Sequence, residues 1–336
     1  MKLLVIRFSS IGDIVLTTPV IRCLKRQYPE AEIHFLVRQS FRSAIEHNPH
    51  ISRLHTYESH LKALADTLKK EDFDLIIDLQ KNFRSRKISR MLEKPRLSFP
   101  KLNVLKWIYV HTKINLLPDK SIVDRYFRAV RRLKVTNDGQ GLEFFIPESA
   151  RTGEDDIPMS HWAGFTGCVI GGSFFTKKFP VDKWIAFCRE SPFPVILLGG
   201  PQDREAGEAI AQAVPGKVYN ACGKFSLLES ADLVRRAKVI VSNDTGLMHI
   251  AAAFRKPIIS LWGNTAPDMG MFPYYGANNR RAHPAPLSAM MENKTLGCHP
   301  CSKLGFDRCP KKHFRCMYDL PVASISGSVQ QYWKET

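Results

Sequence analysis

Short runs rich in Val, Ile and Leu alternate along this chain with amphipathic stretches of helical length, and few arrangements other than a parallel sheet use that alternation. A strand covered by helices on both faces reads as an unbroken apolar run, and each parallel neighbour needs a crossover long enough to hold a helix. In the first half the pattern predicts strands at Leu3–Arg7, Glu32–Val37 and Leu75–Asp78, with helices at Ile14–Tyr28 and His60–Glu71. In the second half it predicts strands at Cys168–Ile170, Val195–Leu198, Val218–Tyr219, Val239–Val241 and Ile258–Leu261. Helices are expected around Val181–Glu190, Asp203–Ala213, Leu228–Ala237 and Leu247–Phe254. Each half therefore reads as its own doubly wound α/β domain. Between them, residues 148–158 are polar and broken by Gly153 and Pro158, as linkers are. The expected division is a domain over 1–150, a second over 151–318, and a helical segment over 319–336 packing back on the first. At 336 residues the chain can bury two cores of ordinary size. Two such domains face each other across a cleft, and ligands of open parallel sheets sit at the carboxyl ends of the strands.

Charge decides the sign of the partner. The chain carries 49 Lys and Arg against 32 Asp and Glu, a net +17, with a pI near 9.6. Such a molecule seeks an anion: nucleic acid, an anionic membrane face or a phosphorylated substrate. Residues 1–150 hold 27 of the bases and 16 of the acids, so the first half is the more basic. Within it, Lys81, Arg84, Arg86, Lys87, Arg90, Lys94, Arg96, Lys101, Lys106 and Lys113 are opposed by Glu93 alone. A solvated face explains such a run as well as binding does. The apolar stretch Leu105–Val110, with Trp107 and Tyr109 beside lysines, also suits a lipid headgroup interface. It is too short and too charged to cross a bilayer. Met1–Arg7 lacks the apolar run and small-residue cleavage site of a signal peptide, and reads as a first strand in a cytoplasmic protein. In that compartment the eight cysteines are reduced.

Three segments carry chemistry. The first strand ends in Arg7-Phe8-Ser9-Ser10-Ile11-Gly12-Asp13, which gathers a cation, two hydroxyls and a carboxylate at a strand-to-helix turn. Asp13 there suits a helix N-cap as well as a catalytic carboxylate. The turn has neither the three glycines of a dinucleotide fingerprint nor a P-loop lysine. In Val239–Ala253, the turn Asp244-Thr245-Gly246 opens a small-residue helix whose free amides can hold a diphosphate, while Asp244 suits sugar hydroxyls. His249 follows one turn later. In Ile170–Pro180, Gly171-Gly172-Ser173 allows close backbone approach, and Lys177 and Lys178 can meet phosphate as point charges.

Together, Arg-x-Ser-Ser-x-Gly-Asp, Gly-Gly-Ser with Lys-Lys-Phe-Pro, and Asn-Asp-Thr-Gly-x-x-His-x-Ala-Ala-Ala followed by Leu-Trp-Gly-Asn-Thr resemble glycosyltransferase family nine, the ADP-heptose:lipopolysaccharide heptosyltransferases. The resemblance runs from Met1 to about Tyr318. It implies a GT-B fold of two Rossmann-like domains, with an ADP-activated heptose in the second and an anionic inner-core lipopolysaccharide acceptor on the first. It implies Asp13 as the general base of an inverting displacement, with Arg7, Ser10, Gly12 and Arg84 on the acceptor side. On the donor side it implies Ser173, Thr176, Lys177, Phe225, Asp244, Thr245, Gly246 and His249, with Lys177 also acting in catalysis and Phe225 covering the adenine. The ribose-binding acid is Asp203 or Glu205. No cofactor is required for catalysis, and the enzyme works as a peripheral protein at the inner face of the cytoplasmic membrane. The alternatives are the same fold with another nucleotide sugar, or a basic nucleic-acid-binding protein without catalysis. The latter has only the charge in its favour, since no helix-turn-helix, OB or RNA-stacking pattern is present.

Half of the cysteines fall in Cys298-x2-Cys301-x7-Cys309-x6-Cys316. Four thiolates at that spacing suit a structural zinc staple, and reduced unliganded thiols suit it equally.

Overall fold

The computed structural model describes residues 1–276 and 288–336. Its first domain runs β1 (Lys2–Ile6), α1 (Ile11–Val15), α2 (Thr18–Gln27), β2 (Glu32–Arg38), β3 (Arg53–Tyr57), α3 (Leu61–Lys69), β4 (Leu75–Asp78), α4 (Phe83–Leu92), β5 (Arg96–Ser98), α5 (Asn103–Thr112) and α6 (Ile122–Phe127). The second runs β6 (Thr166–Val169), α7 (Val181–Glu190), β7 (Val195–Leu198), α8 (Arg204–Ala213), β8 (Val218–Asn220), α9 (Leu227–Arg236), β9 (Val239–Asn243), α10 (Gly246–Ala253), β10 (Ile258–Trp262), β11 (Ser288–Glu292), α11 (Arg315–Tyr318) and α12 (Val322–Glu335).

The strands form two wholly parallel sheets in the orders β3-β2-β1-β4-β5 and β11-β10-β9-β6-β7-β8. In both, the chain order reverses next to the first strand, between β1 and β4 and between β6 and β9, which opens a crevice at the carboxyl ends. This is the GT-B arrangement of two doubly wound domains. The strands absent from the sequence reading, β3, β5 and β11, are all sheet edges. An edge strand is covered less completely, so Arg53-Leu54-His55-Thr56-Tyr57 carries no continuous apolar run.

The helix expected over Ile14–Tyr28 is two helices. Pro19 has no N–H to donate, so the chain breaks at residues 16 and 17 and α2 begins with Pro19 in its first turn. The Thr17 and Thr18 hydroxyls donate to the carbonyls of Ile14 and Val15. The terminal helix also differs from expectation. It packs on α7, β9 and β10 of the second domain, not back on the first. Its apolar stripe explains this: Ile325 and Val329 are buried in the core that holds Trp184 and Phe187, and Trp333 stacks on Phe193 at 3.9 Å.

The domains meet where α1 lies against α10. Gly12 and Gly246 make that approach possible. A Cβ on Gly12 would come within 2.5 Å of the His249 ring, and one on Gly246 within 2.8 Å of Ile11. The contact sets the turn after β1 directly opposite the turn after β9.

Candidate active site

Both turns line one cavity of about 400 Å³ between the domains. On the first-domain wall, Asp13 is fixed from two directions. Arg7 Nη2 pairs with Asp13 Oδ1 at 2.6 Å, and the Ser10 hydroxyl and backbone N–H donate to Oδ2 at 2.9 and 3.3 Å. Ser10, not Asp13, is the N-cap of α1. Arg7 is itself held by the carbonyls of Ser9 and Leu79, at 2.9 and 2.6 Å. Burial would push the Asp13 carboxyl up, but the Arg7 guanidinium, the two Ser10 hydrogen bonds and the field of His249 outweigh it and hold it below the usual range. Asp13 is therefore ionised at neutral pH while keeping 24% of its side chain exposed to the cleft.

On the opposite wall, the buried Asn243 fastens two turns together. Its amide donates to the carbonyls of Ile170 and Gly171, and its oxygen accepts from Phe179 N. The loop after β6 thus lies beside the turn after β9, where Lys177 Nζ reaches Asp244 Oδ2 at 2.6 Å. Thr265 Oγ1 donates to the same carboxylate at 3.1 Å. Thr245 is the N-cap residue of α10 and makes no side-chain cap bond, and the first amides of a helix lack intrahelical partners, here beside the cavity that Thr245 and Gly246 line. His249 is buried and its Nδ1 has no partner among the described residues. Burial pushes its pKa down to about 4, so the imidazole is neutral. Ser173, Thr245 and Gly246 also border a second cavity of about 340 Å³, which Phe225 and Asp203 line. Asp203 is buried there, paired with Lys178 at 2.6 Å, whereas Glu205 lies exposed on α8.

Two expected site residues stand elsewhere. Thr176 is buried with its hydroxyl occupied by the backbone of Phe306, donating to its carbonyl and accepting from its N–H. It anchors the loop over the cleft and offers nothing to a ligand. Arg84 lies on the exposed side of α4, outside the cavity, because the buried face of that helix is Ser85, Ile88, Ser89 and Leu92. The members of the basic run that do approach the cleft are Lys106, which lines it, and Lys101, whose charge acts on Lys106. Lys303, from the cysteine-rich loop, also lines the cavity, and no sequence signal pointed to it.

The four thiols do not form the tetrahedral set that their spacing suggests. Among the described residues only His34, His55 and Glu71 bring three ligating atoms within 4.8 Å of one another. Cys316 lies in the second-domain core beside Phe314 and Met317, and Cys309 packs against the same core. Burial, with the fields of Cys301, Cys309 and Cys298 added, pushes the Cys316 thiol up to about 12. In the histidine cluster, His34 Nδ1 and His55 Nε2 share a hydrogen bond of 2.9 Å, and Glu71 is already paired with Arg53 and Lys2.

Among the described residues no helix is long and apolar enough to cross a membrane. The family description "Glycosyltransferase family 9 (heptosyltransferase)" matches residues 61–295. Lipopolysaccharide heptosyltransferase 1 of Campylobacter coli is 26% identical over 297 residues, 79% of this chain and 84% of that protein. The glycosyl transferase family 9 structure from Veillonella parvula superposes with a TM-score of 0.78 at 19% identity, over 100% of this chain and 98% of that one. The ADP-heptose heptosyltransferase II of E. coli gives 0.74 at 20% identity, over 100% and 99%. With its two facing doubly wound domains and a family match over most of its length, this chain belongs to glycosyltransferase family 9, the heptosyltransferases, and is a glycosyltransferase of the GT-B fold.

Proposed function

We propose that this enzyme transfers heptose from ADP-heptose to a Kdo- or heptose-bearing inner-core lipopolysaccharide acceptor, with inversion at the anomeric carbon. The observation that carries the reading is one cavity with an ionised carboxylate, Asp13, on one wall and an anion-holding turn, Thr245–Gly246 with Lys177, on the other. The donor spans the two connected cavities. Its adenine lies against Phe225, its ribose hydroxyls near Asp203, and its diphosphate on the α10 amides and Lys177. Asp244 reaches the heptose hydroxyls, and the neutral His249 lies beside the phosphates.

In the reaction, an acceptor hydroxyl gives its proton to Asp13 as its oxygen attacks the anomeric carbon from the face opposite the diphosphate. The bond to the leaving ADP breaks in the same step. Because Arg7 keeps Asp13 a weak base, the proton moves late within that step, as the forming bond makes the acceptor oxygen acidic. Charge gathering on the departing diphosphate meets Lys177 and the turn amides. These groups carry the leaving-group charge without calling on a metal ion.

The outer face of the first domain fits work at a membrane surface. Phe83, Val104 and Trp107 are exposed among Arg84, Lys87 and Lys106's neighbours on α4 and α5, and α5 has no fully buried residue. Apolar tips beside cations suit the anionic cytoplasmic leaflet. A transfer assay with a panel of nucleotide sugars against deacylated core acceptors tests the proposal. ADP-heptose should be the preferred donor with an inverted product, and turnover of a different nucleotide sugar alone would overturn the donor identity.

A further inference from the structure

Four cations line the cleft, Arg7, Lys106, Lys177 and Lys303, against two carboxylates, Asp13 and Asp244. Both acids are taken: Arg7 holds Asp13 and Lys177 holds Asp244, each at 2.6 Å. Lys106 and Lys303 have no ion-pair partner among the described residues. Lys303 is exposed at the rim, while Lys106 is half-buried, and an ammonium withdrawn from water without a counter-charge is costly unless a ligand supplies one.

Lys106 and Lys303 come from opposite domains, and the fold holds them together. Lys106 is on α5, whose C-terminal Lys113 donates to the carbonyls of Cys298 at 3.1 Å and Pro300 at 2.8 Å. Those carbonyls begin the loop that carries Lys303. Tyr109, also on α5, donates to Asp268 of the second domain at 3.2 Å. The far end of the loop is pinned by the Thr176–Phe306 bonds. Neighbouring Arg125 cannot supply the missing anion and adds a further cation, its guanidinium donating to the Met269 carbonyl at 2.7 Å.

We propose that Lys106 and Lys303 form a two-domain clamp for an anionic group of the acceptor, a sugar carboxylate or a phosphate, seated beside Asp13. The inference rests on the reading of this cleft as a sugar-transfer site and assigns residues to its acceptor half. The donor's diphosphate has its own anchors in the reading above, Lys177 and the α10 amides on the opposite wall, and the cavity bordered by Phe225 is lined by neither Lys106 nor Lys303. Because the clamp closes only when both domains contribute, acceptor binding also favours the closed cleft.

The titration of Lys106 supplies a signature. Burial, with Arg125, Lys303 and Lys101, pushes its ammonium down to about 7, against the opposing field of Asp13. An anion binds the protonated form, so acceptor affinity should weaken as pH rises through about 7. In Lys106→Arg the cation persists and that dependence should flatten.

The test uses the full chain, ADP, and a deacylated inner-core oligosaccharide with its Kdo carboxylates intact, carboxyl-reduced, or dephosphorylated. Lys106→Gln and Lys303→Gln should each raise the acceptor KM about tenfold or more while leaving the Kd for ADP within twofold. Whichever acceptor modification removes the clamped anion should weaken wild type as much as the substitutions do, and should not weaken the variants further. That arm separates a carboxylate from a phosphate. A tenfold loss of ADP affinity with acceptor KM unmoved would instead place the lysines on the donor, and no change in either constant would remove the clamp. If wild type transfers no sugar at all, the functional reading fails. Calorimetry of the intact oligosaccharide with wild type and Lys303→Gln then still decides the clamp, since equal affinities would overturn it.

Discussion

The two walls of the cleft are built differently. The wall proposed for the donor comes from two strand-turn-helix units of a single sheet, β6 with its following loop and β9 with α10, fastened by Asn243. The wall proposed for the acceptor is assembled from the turn after β1, from α5 about a hundred residues later, and from a loop of the other domain. A wall made of contiguous turns is positioned by local structure and tolerates motion between domains. A wall made of distant segments exists only when those segments meet.

The sharpest break in this comparison lies at Asp13, where chemistry and positioning coincide. Asp13→Asn should lower kcat about 10³-fold while ADP affinity, a property of the opposite wall, stays unchanged. Ordinary turnover in that variant would reduce Asp13 to its hydrogen bonds with Ser10. The pH profile adds a second reading. Since Arg7 holds the Asp13 carboxyl below its usual range, kcat should stay flat as pH falls to about 4 and decline only beneath the ordinary carboxylate pKa. Any stability from the Arg7–Asp13 pair follows the same sign, present above the unfolded carboxylate pKa and lost as pH falls through the depressed folded value.

Lys177→Ala probes the donor wall and should cost about 10² in kcat/KM. Unlike Asp13→Asn, it should also weaken ADP binding, measured by calorimetry, because in the proposed site the lysine meets the diphosphate before and during bond breaking. It frees Asp244 as well, whose carboxylate then keeps the hydrogen bond from Thr265 but loses its counter-charge. Unchanged ADP affinity would take Lys177 out of the donor site.

The same difference explains what sequence could and could not show. The turns of the proposed donor wall are legible because Asp244-Thr245-Gly246 and Gly171-Gly172-Ser173 each follow a buried apolar strand, so residue order and spatial order agree. The resemblance puts Thr176 on the donor side, but the 3-10 turn at Phe175–Lys177 directs its hydroxyl inward to Phe306. On the acceptor wall, Arg84 and Lys106 were indistinguishable members of one charge run, and only the packing of α4 and α5 separates the exposed side chain from the one in the cleft. Lys303 lies in a segment whose cysteines drew attention to metal chemistry. Of the four edge strands, β3, β5 and β11 escape a sequence reading because half-covered strands need no apolar run, and the packing of α12 escapes it because an amphipathic stripe does not name the core it joins.

The contact that brings the walls together is open to a smaller perturbation. Gly12→Ala puts a methyl group 2.5 Å from the His249 ring, which is buried and cannot yield freely. A destabilisation of about 2 kcal/mol is expected in chemical unfolding. α1 touches the proposed donor cavity through Ile11 alone but carries Gly12 and Asp13 on the cleft, so ADP affinity should survive better than acceptor KM. Equal loss of both would mean that the two walls are set as one body.

The smallest effect on chemistry is expected from Arg84, Arg86 and Lys87, whose charges lie on the outer face of α4. Replacing all three with Gln should leave the KM for a soluble deacylated acceptor within twofold, because none of them lines the cleft. Cosedimentation with vesicles rich in anionic lipid should fall about tenfold at low salt, with the difference shrinking as salt screens the surface. A large rise in soluble-acceptor KM would extend the acceptor wall around α4 and enlarge the set of distant segments that must meet. Unchanged vesicle binding would leave the apolar tips of Phe83, Val104 and Trp107 as the remaining membrane contacts, separable by Trp107→Asp.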